Sequence, residues 1–296
     1  MNRRSKIGIT ATGLVLVGLL AMSLALAGCG STSAKSLSGK LTLSGSTTVL
    51  PLAQEAADMF MTDNPKTNVT VQGGGSSVGV TQVSQGVVNI GNSSRDLNDT
   101  EKNLGLVDHQ VAYDVIAIIV NPSVGITNLT SDQAKAIFSG TVKNWNQVGG
   151  PNAPITVVIR DSSSGTREIF DQKVLGAAKT APDAPGAIET NSNGIMRQTV
   201  ASTPNSAGYI SLGYIDKTVK SVSLNGVQPT LANGLNKTYP LARYLHMFTK
   251  GEATGLAKSY IDFVLTPNFQ NVVVAKDYVP MTKIPGSASS TTPTGK

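Results

Sequence analysis

The stretch DVIAIIVNP, residues 114–122, constrains the fold more than any other part of the chain. From Val115 to Val120 every residue is apolar, so a strand here has no polar face to turn to water. Such strands are stable when both faces are covered, as in sheets flanked by helices. The neighbouring pattern agrees. KLTLSG (40–45) is short and β-like, and Leu52, Ala56, Met59 and Phe60 then recur at helical spacing. NVTVQ (68–72) alternates branched and polar residues like a strand, and Val80, Val83 and Val87 form a helical stripe after it. VNIGN, PITVVIR, AGYISLGYI, VKSVSL and YPLARYLHMFT read as further strands. TSDQAKAIF opens on a capping box, Thr130 to Gln133. Leu256, Tyr260, Phe263 and Val264 stripe a late helix, and Thr266-Pro267 begins a final one with Pro at its first position. Alternating strands and helices predict an α/β fold with mixed, mainly parallel sheets. No single linker divides the chain, so a two-lobed molecule would be crossed by the chain more than once.

The N-terminus reads as an export signal over residues 1–28. MNRRSK supplies the positive start, and Ile7 to Ala27 is uncharged. LAGC (26–29) then brings the only cysteine of the chain, in the setting of a bacterial lipobox. Cys29 is expected to carry the lipid, palmitate included, that holds the protein to the outer side of the cell membrane. An uncleaved membrane-spanning anchor is the alternative, since about 20 apolar residues can cross a bilayer. Residues 29–38 form the lipidated cysteine and a Ser-rich tether, and 286–296 a low-complexity tail expected to be disordered. The formal charge of the 296 residues is +6. Removal of Arg3, Arg4 and Lys6 with the signal leaves 21 basic residues against 18 acidic. That balance is too even to argue for nucleic acid as a partner.

One local device recurs. SGSTTVLP (44–51), GGGSSVG (73–79) and RDSSSGTRE (160–168) each follow a strand and open a helix, and GNSSRD (91–96) follows a short strand. Helix N-termini present unpaired N–H groups and the positive end of the macrodipole, so they attract anions without a cationic side chain. Glycine lets the backbone approach closely, and hydroxyls add donors in several directions. One such loop alone would be read as ordinary N-capping. Three of them together with Arg160 suit a small tetrahedral oxyanion, stripped of water and fully hydrogen-bonded.

Those stretches, with NWNQVGGP and the lipobox, resemble the PstS-type phosphate-binding lipoproteins of bacterial phosphate ABC transporters. The resemblance spans nearly the whole ordered chain and keeps the family's motif order. It implies a periplasmic-binding-protein fold (type II) of two α/β lobes, joined by a hinge of two crossing strands and closing on one phosphate. The division expected is 39–118 with 219–285 for lobe one, and 119–218 for lobe two. It implies no enzyme and no cofactor or metal, a monomer, and permease subunits of an ABC transporter as partners. By position, the phosphate ligands would be Ser46, Thr47 and Thr48 of the first loop and Ser76 of the second. Ser94, Arg160, Ser164, Gly165 and Thr166 complete the set.

The chain departs from the family at Ser94, where well-known members carry an aspartate that accepts the phosphate proton and helps exclude sulfate. Asp161, next to Arg160, is the first candidate to replace it, and Asp96 the second; N-capping or orienting Arg160 is the other role open to Asp161. Two further readings remain. One is a receptor for sulfate, molybdate or tungstate on the same fold. The other is a serine hydrolase, because GSSVG (75–79) fits the nucleophile-elbow pattern around Ser77, with only His109 and His246 to serve as base. Trp145 is expected to pack a loop, and RDLNDTEKN (95–103) to form a solvated turn.

Overall fold

The computed structural model describes residues 36–176 and 184–285. The export signal, Cys29, the tether as far as residue 35 and the tail at 286–296 lie outside the described residues. Among the described residues no helix is long and apolar enough to cross a membrane.

Among the described residues, ten strands are arranged around two main cores. β1 (Gly39–Gly45) pairs in parallel with β2 (Thr67–Gln72) and β3 (Ile90–Ser93). β6 (Thr156–Arg160) pairs in parallel with β7 (Ile188–Thr190) and β8 (Ser206–Ser211). Between these parallel groups lie two long strands that run antiparallel to each other, β4 (Leu106–Val120) and β10 (Ala242–Lys250). β10 bonds β3 on its other side and β4 bonds β8, giving the order β2-β1-β3-β10-β4-β8-β6-β7. The short β5 (Asn128–Leu129) joins β9 (Lys220–Leu224), which pairs antiparallel with the end of β4. The sheet is therefore parallel at its two ends and antiparallel where the long strands cross.

Those two strands change core along their length. Val111 and Ala112 of β4, with Leu245 and Met247 of β10, belong to a core built from Leu41, Leu43, Leu52, Phe60 and Ile90. Val115, Ile116, Ile118 and Val120, with Ala242, belong to a second core around Phe138, Trp145, Phe170 and Tyr209. The ladder between β4 and β10 slips register at Leu245/His246, close to the change of core. A bulge bends and twists a strand at such a point. Val222, Leu224, Tyr239 and Leu241 also pack into the second core. Residues 219–242, expected with lobe one, thus pack with lobe two, because β9 adds to the far half of β4 and not to β1–β3. The apolar run of 114–122 is buried throughout its Val115–Val120 section, as its composition requires.

Four helices position the strand-end loops. α1 (Leu50–Asp63) follows β1, α2 (Ser76–Ser84) follows β2, α4 (Gly165–Phe170) follows β6 and α5 (Asn193–Ser202) follows β7. α3 (Ser131–Phe138) carries the expected capping box, with Thr130 and Gln133 each accepting from the other's backbone N–H.

Candidate anion-binding site

The loops after β1, β2, β3 and β6 meet in one buried polar cluster where the two cores face each other. Ser46, Thr47, Thr48, Ser76, Ser94, Arg160, Ser164 and Thr166 are all buried, and Gly165 with them. The first loop starts the arrangement. Ser46 Oγ accepts from the Thr48 N–H (3.1 Å), a local turn that places the next two hydroxyls. Thr47 Oγ1 lies 3.3 Å from Arg160 Nη2 and Thr48 Oγ1 3.2 Å from Thr166 Oγ1, so the loop after β1 touches the end of β6 and the first turn of α4 after it. In the second loop Ser76 Oγ accepts from the Ser94 N–H (3.0 Å) and lies 3.2 Å from Ser94 Oγ. Ser164 caps α4 by accepting from the Arg167 N–H at 3.2 Å.

Two glycines permit the approach. Gly75 has φ +95, and a Cβ there would collide with Ser163. Gly165 packs so closely on Ser76 and Arg95 that a side chain would force them apart. Contacts cross the gap, with the Ser77 N–H donating to Ser163 O at 3.1 Å and Ser163 Oγ lying 3.1 Å from Gly74 O. The two halves are closed on each other.

Arg160 is the electrostatic centre. It is 1% exposed, and Nη2 donates to Asn191 O (3.1 Å), but Nε and Nη1 meet no acceptor. Among the described residues no carboxylate lies within ion-pair reach of it. Burial pulls its pKa down to about 10, against the attraction of the Tyr209 and Asp161 side chains. A buried cation with two unsatisfied donors is unfavourable in isolation and favourable beside an anion.

Four groups in the cluster escaped sequence reading. Asn193, at the start of α5, donates from Nδ2 to Thr48 Oγ1 (3.0 Å) and sits 3.3 Å from Thr47 Oγ1. Tyr214 donates to Thr47 O at 2.5 Å. Arg243 of β10 donates from Nη2 to Thr166 Oγ1 (3.0 Å) and Thr48 Oγ1 (3.2 Å). Its partner is the fully buried Asp114 of β4, 2.9 Å away. Burial works against both charges of this pair, raising the Asp114 pKa and lowering that of Arg243, and each partner opposes the loss in the other. Asn193 lies between Ser192 and Gly194, but no Gly- and Ser-rich run like those of the other loops flags any of the four.

The acidic candidates for a proton acceptor are not in the cluster. Asp161 Oδ1 accepts from Ser163 N (2.8 Å) and Ser163 Oγ (2.5 Å), so this carboxylate caps its own turn. Asp96 is exposed, with Oδ1 3.5 Å from His246 Nε2. Arg95 is a further correction to the solvated-turn reading of 95–103. It is 2% exposed and bound to Glu101 of its own loop at 2.6 Å and to Glu168 of α4 at 2.7 Å. Ser77, the elbow-like serine, accepts from Arg95 Nη2 at 3.1 Å. His246 instead binds Asp108 at 2.9 Å, and His109 lies 3.0 Å from Thr249 Oγ1, so neither histidine serves Ser77. Trp145 is buried and donates from its indole N–H to Asn205 O, which packs its loop as expected.

Comparison with known proteins gives a consistent result. A profile described as a PBP superfamily domain matches residues 30–268. The phosphate-binding protein PstS of Bacillus subtilis is 42% identical over 251 residues, covering 83% of this chain and 82% of that one. PstS of Borreliella burgdorferi is 32% identical, covering 81% of this chain and 89% of that one. A solved structure from Clostridium perfringens, assigned as a phosphate ABC transporter substrate-binding protein and holding bound phosphate, superposes with a TM-score of 0.79. It shares 35% identity, over 82% of this chain and 99% of that chain.

Proposed function

The chain belongs to the PBP superfamily, among the PstS phosphate-binding proteins, and from that premise we propose that it captures inorganic phosphate between its two lobes and delivers it to the permease of an ABC transporter. The family binds solute and does not turn it over. The observation that carries the reading is Arg160, buried and closed in by hydroxyls, with two donors left for an anion to satisfy. Ser46, Thr47, Thr48, Ser76, Ser94, Ser164, Gly165 and Thr166 supply the remaining shell, drawn from both sides of the cleft. Lobe one would be residues 39–112 with 243–285 and lobe two 113–242, following the change of core on β4 and β10. The guanidinium fork suits two oxygens of a tetrahedral anion.

The protein is read as an extracytoplasmic monomer, tethered to the cell membrane through a lipid on Cys29. Detergent partitioning of the wild type, and release of a Cys29→Ser variant, would support the tether; an intact 1–28 segment on the membrane-bound form would refute it. Calorimetric titration with phosphate, sulfate and molybdate tests the ligand. Arg160→Ala should weaken phosphate binding by about 2–5 kcal/mol, the range for removing one partner of a buried charge pair. Near-normal affinity in that variant would overturn the assignment, and tighter binding of sulfate or molybdate than of phosphate would overturn the choice of ligand.

A further inference from the structure

Arg243 has more donors than partners. It is 5% exposed, and its Nε (3.1 Å) and Nη2 (2.9 Å) both donate to Asp114 Oδ2. Nη2 also reaches Thr48 and Thr166, two residues of the anion cluster. Nη1 is buried and has no acceptor. Arg160 meets the same cluster through Thr47, next in sequence to the Thr48 that Arg243 binds, and the charge of Arg243 presses on that of Arg160. Two buried cations held this close repel each other unless a negative charge lies between them. Asp114 is committed to Ser211 and Arg243, with Oδ1 taken by Ser211 (2.6 Å) and Oδ2 by the arginine itself.

We infer that Arg243 is a second arginine of the anion site, touching the bound phosphate through Nη1, with Asp114 as the residue that positions it. The inference rests on the phosphate-binding reading above. It also fixes the charge of the site. Arg160 and Arg243 against Asp114 leave one net positive charge among the buried side chains that reach the cluster; Asp161 attracts Arg160 from outside it, and Asp161 and Asp96, whose carboxylates are engaged elsewhere, add no acceptor. A donor-rich site of net positive charge favours the doubly ionised form of phosphate over the singly ionised one. The other titratable groups around Arg243 are Tyr278, which donates to Thr48 O, and Tyr214; burial raises both, so they stay neutral at ordinary pH. His246, three residues along β10, is engaged with Asp108 and Asp96.

Two measurements on the mature protein decide the matter. A crystal structure of the wild type with phosphate should place Arg243 Nη1 within hydrogen-bond distance of a phosphate oxygen. A guanidinium out of reach overturns the inference whether or not any variant folds. Calorimetry in buffers of different ionisation heat, at a pH where both phosphate forms are present, should show protons released on binding. Arg243→Gln should bind phosphate at least about tenfold more weakly and release fewer protons, and Arg243→Lys should recover part of both. Affinity within threefold of wild type, or unchanged proton release, in a folded Arg243→Gln protein would overturn the role. Failure of the wild type to bind phosphate at all would instead refute the function proposed above.

Discussion

At the scale of single residues, the site turns on where two side chains point, Asp161 to Ser163 of its own turn and Arg243 to Thr48 and Thr166 of the anion cluster. Arg160 and the hydroxyls of three loops stand out because Gly and Ser cluster beside them, and the fold brings all of them together. Asp161 has the right charge and the right neighbour, but its carboxylate is spent on Ser163, two residues along. Sequence distance cannot tell which way a turn points a side chain. Arg243 lies in YPLARYLHMFT, where nothing distinguishes it from an ordinary strand residue. Only the pairing of β10 with β4 brings it to Asp114 and the cluster. If Asp161 is a cap, Asp161→Ala should destabilise the protein by about 0.5–2 kcal/mol, the range for lost side-chain caps. The ratio of phosphate to sulfate affinity should not change. Thermal unfolding with competition titrations would separate the two effects, and a gain in relative sulfate affinity would return Asp161 to the role of proton acceptor.

At the scale of elements, periodicity located most helices and strands because each is stabilised by its own pattern of apolar residues. The capping box of α3 is the clearest case, since every group in it lies within four residues. Thr130→Ala should lower stability by about 1 kcal/mol, read as a reduced urea midpoint at unchanged slope. A shift in the slope would mean that the helix end contributes to something larger than its own cap. The first half of β4 was harder to read. LVDHQVAY has no apolar run, and it is a strand because β10 binds it along nearly its whole length. Non-local pairing also decides the sheet order, and the pairing of β9 with the far end of β4 decides which core it joins, neither of which any local pattern encodes.

At the scale of the molecule, the site exists only when the two halves are together, so affinity depends on how often they close. The closed form is held by contacts beside the anion cluster as well as in it. Arg95, next in sequence to Ser94, binds Glu168, two residues beyond Thr166. Burial alone would lower the Arg95 pKa, but Glu101 and Glu168 outweigh it and hold the charge. Glu101 comes from the same loop as Arg95 and survives opening; Glu168 comes from α4 and does not. Glu168→Gln should therefore leave the ligand shell intact and reduce the fraction of protein that is closed. Apparent affinity falls in proportion to that fraction. Because Glu168 is a fifth exposed, the loss should be modest, about 0.5–1 kcal/mol, or two- to fivefold in affinity. It should appear mainly as faster phosphate release, since the contact forms after the ligand is inside. Stopped-flow release measurements on Glu168→Gln, beside the wild type, test this directly. An unchanged release rate would mean that the anion and its own shell close the molecule unaided.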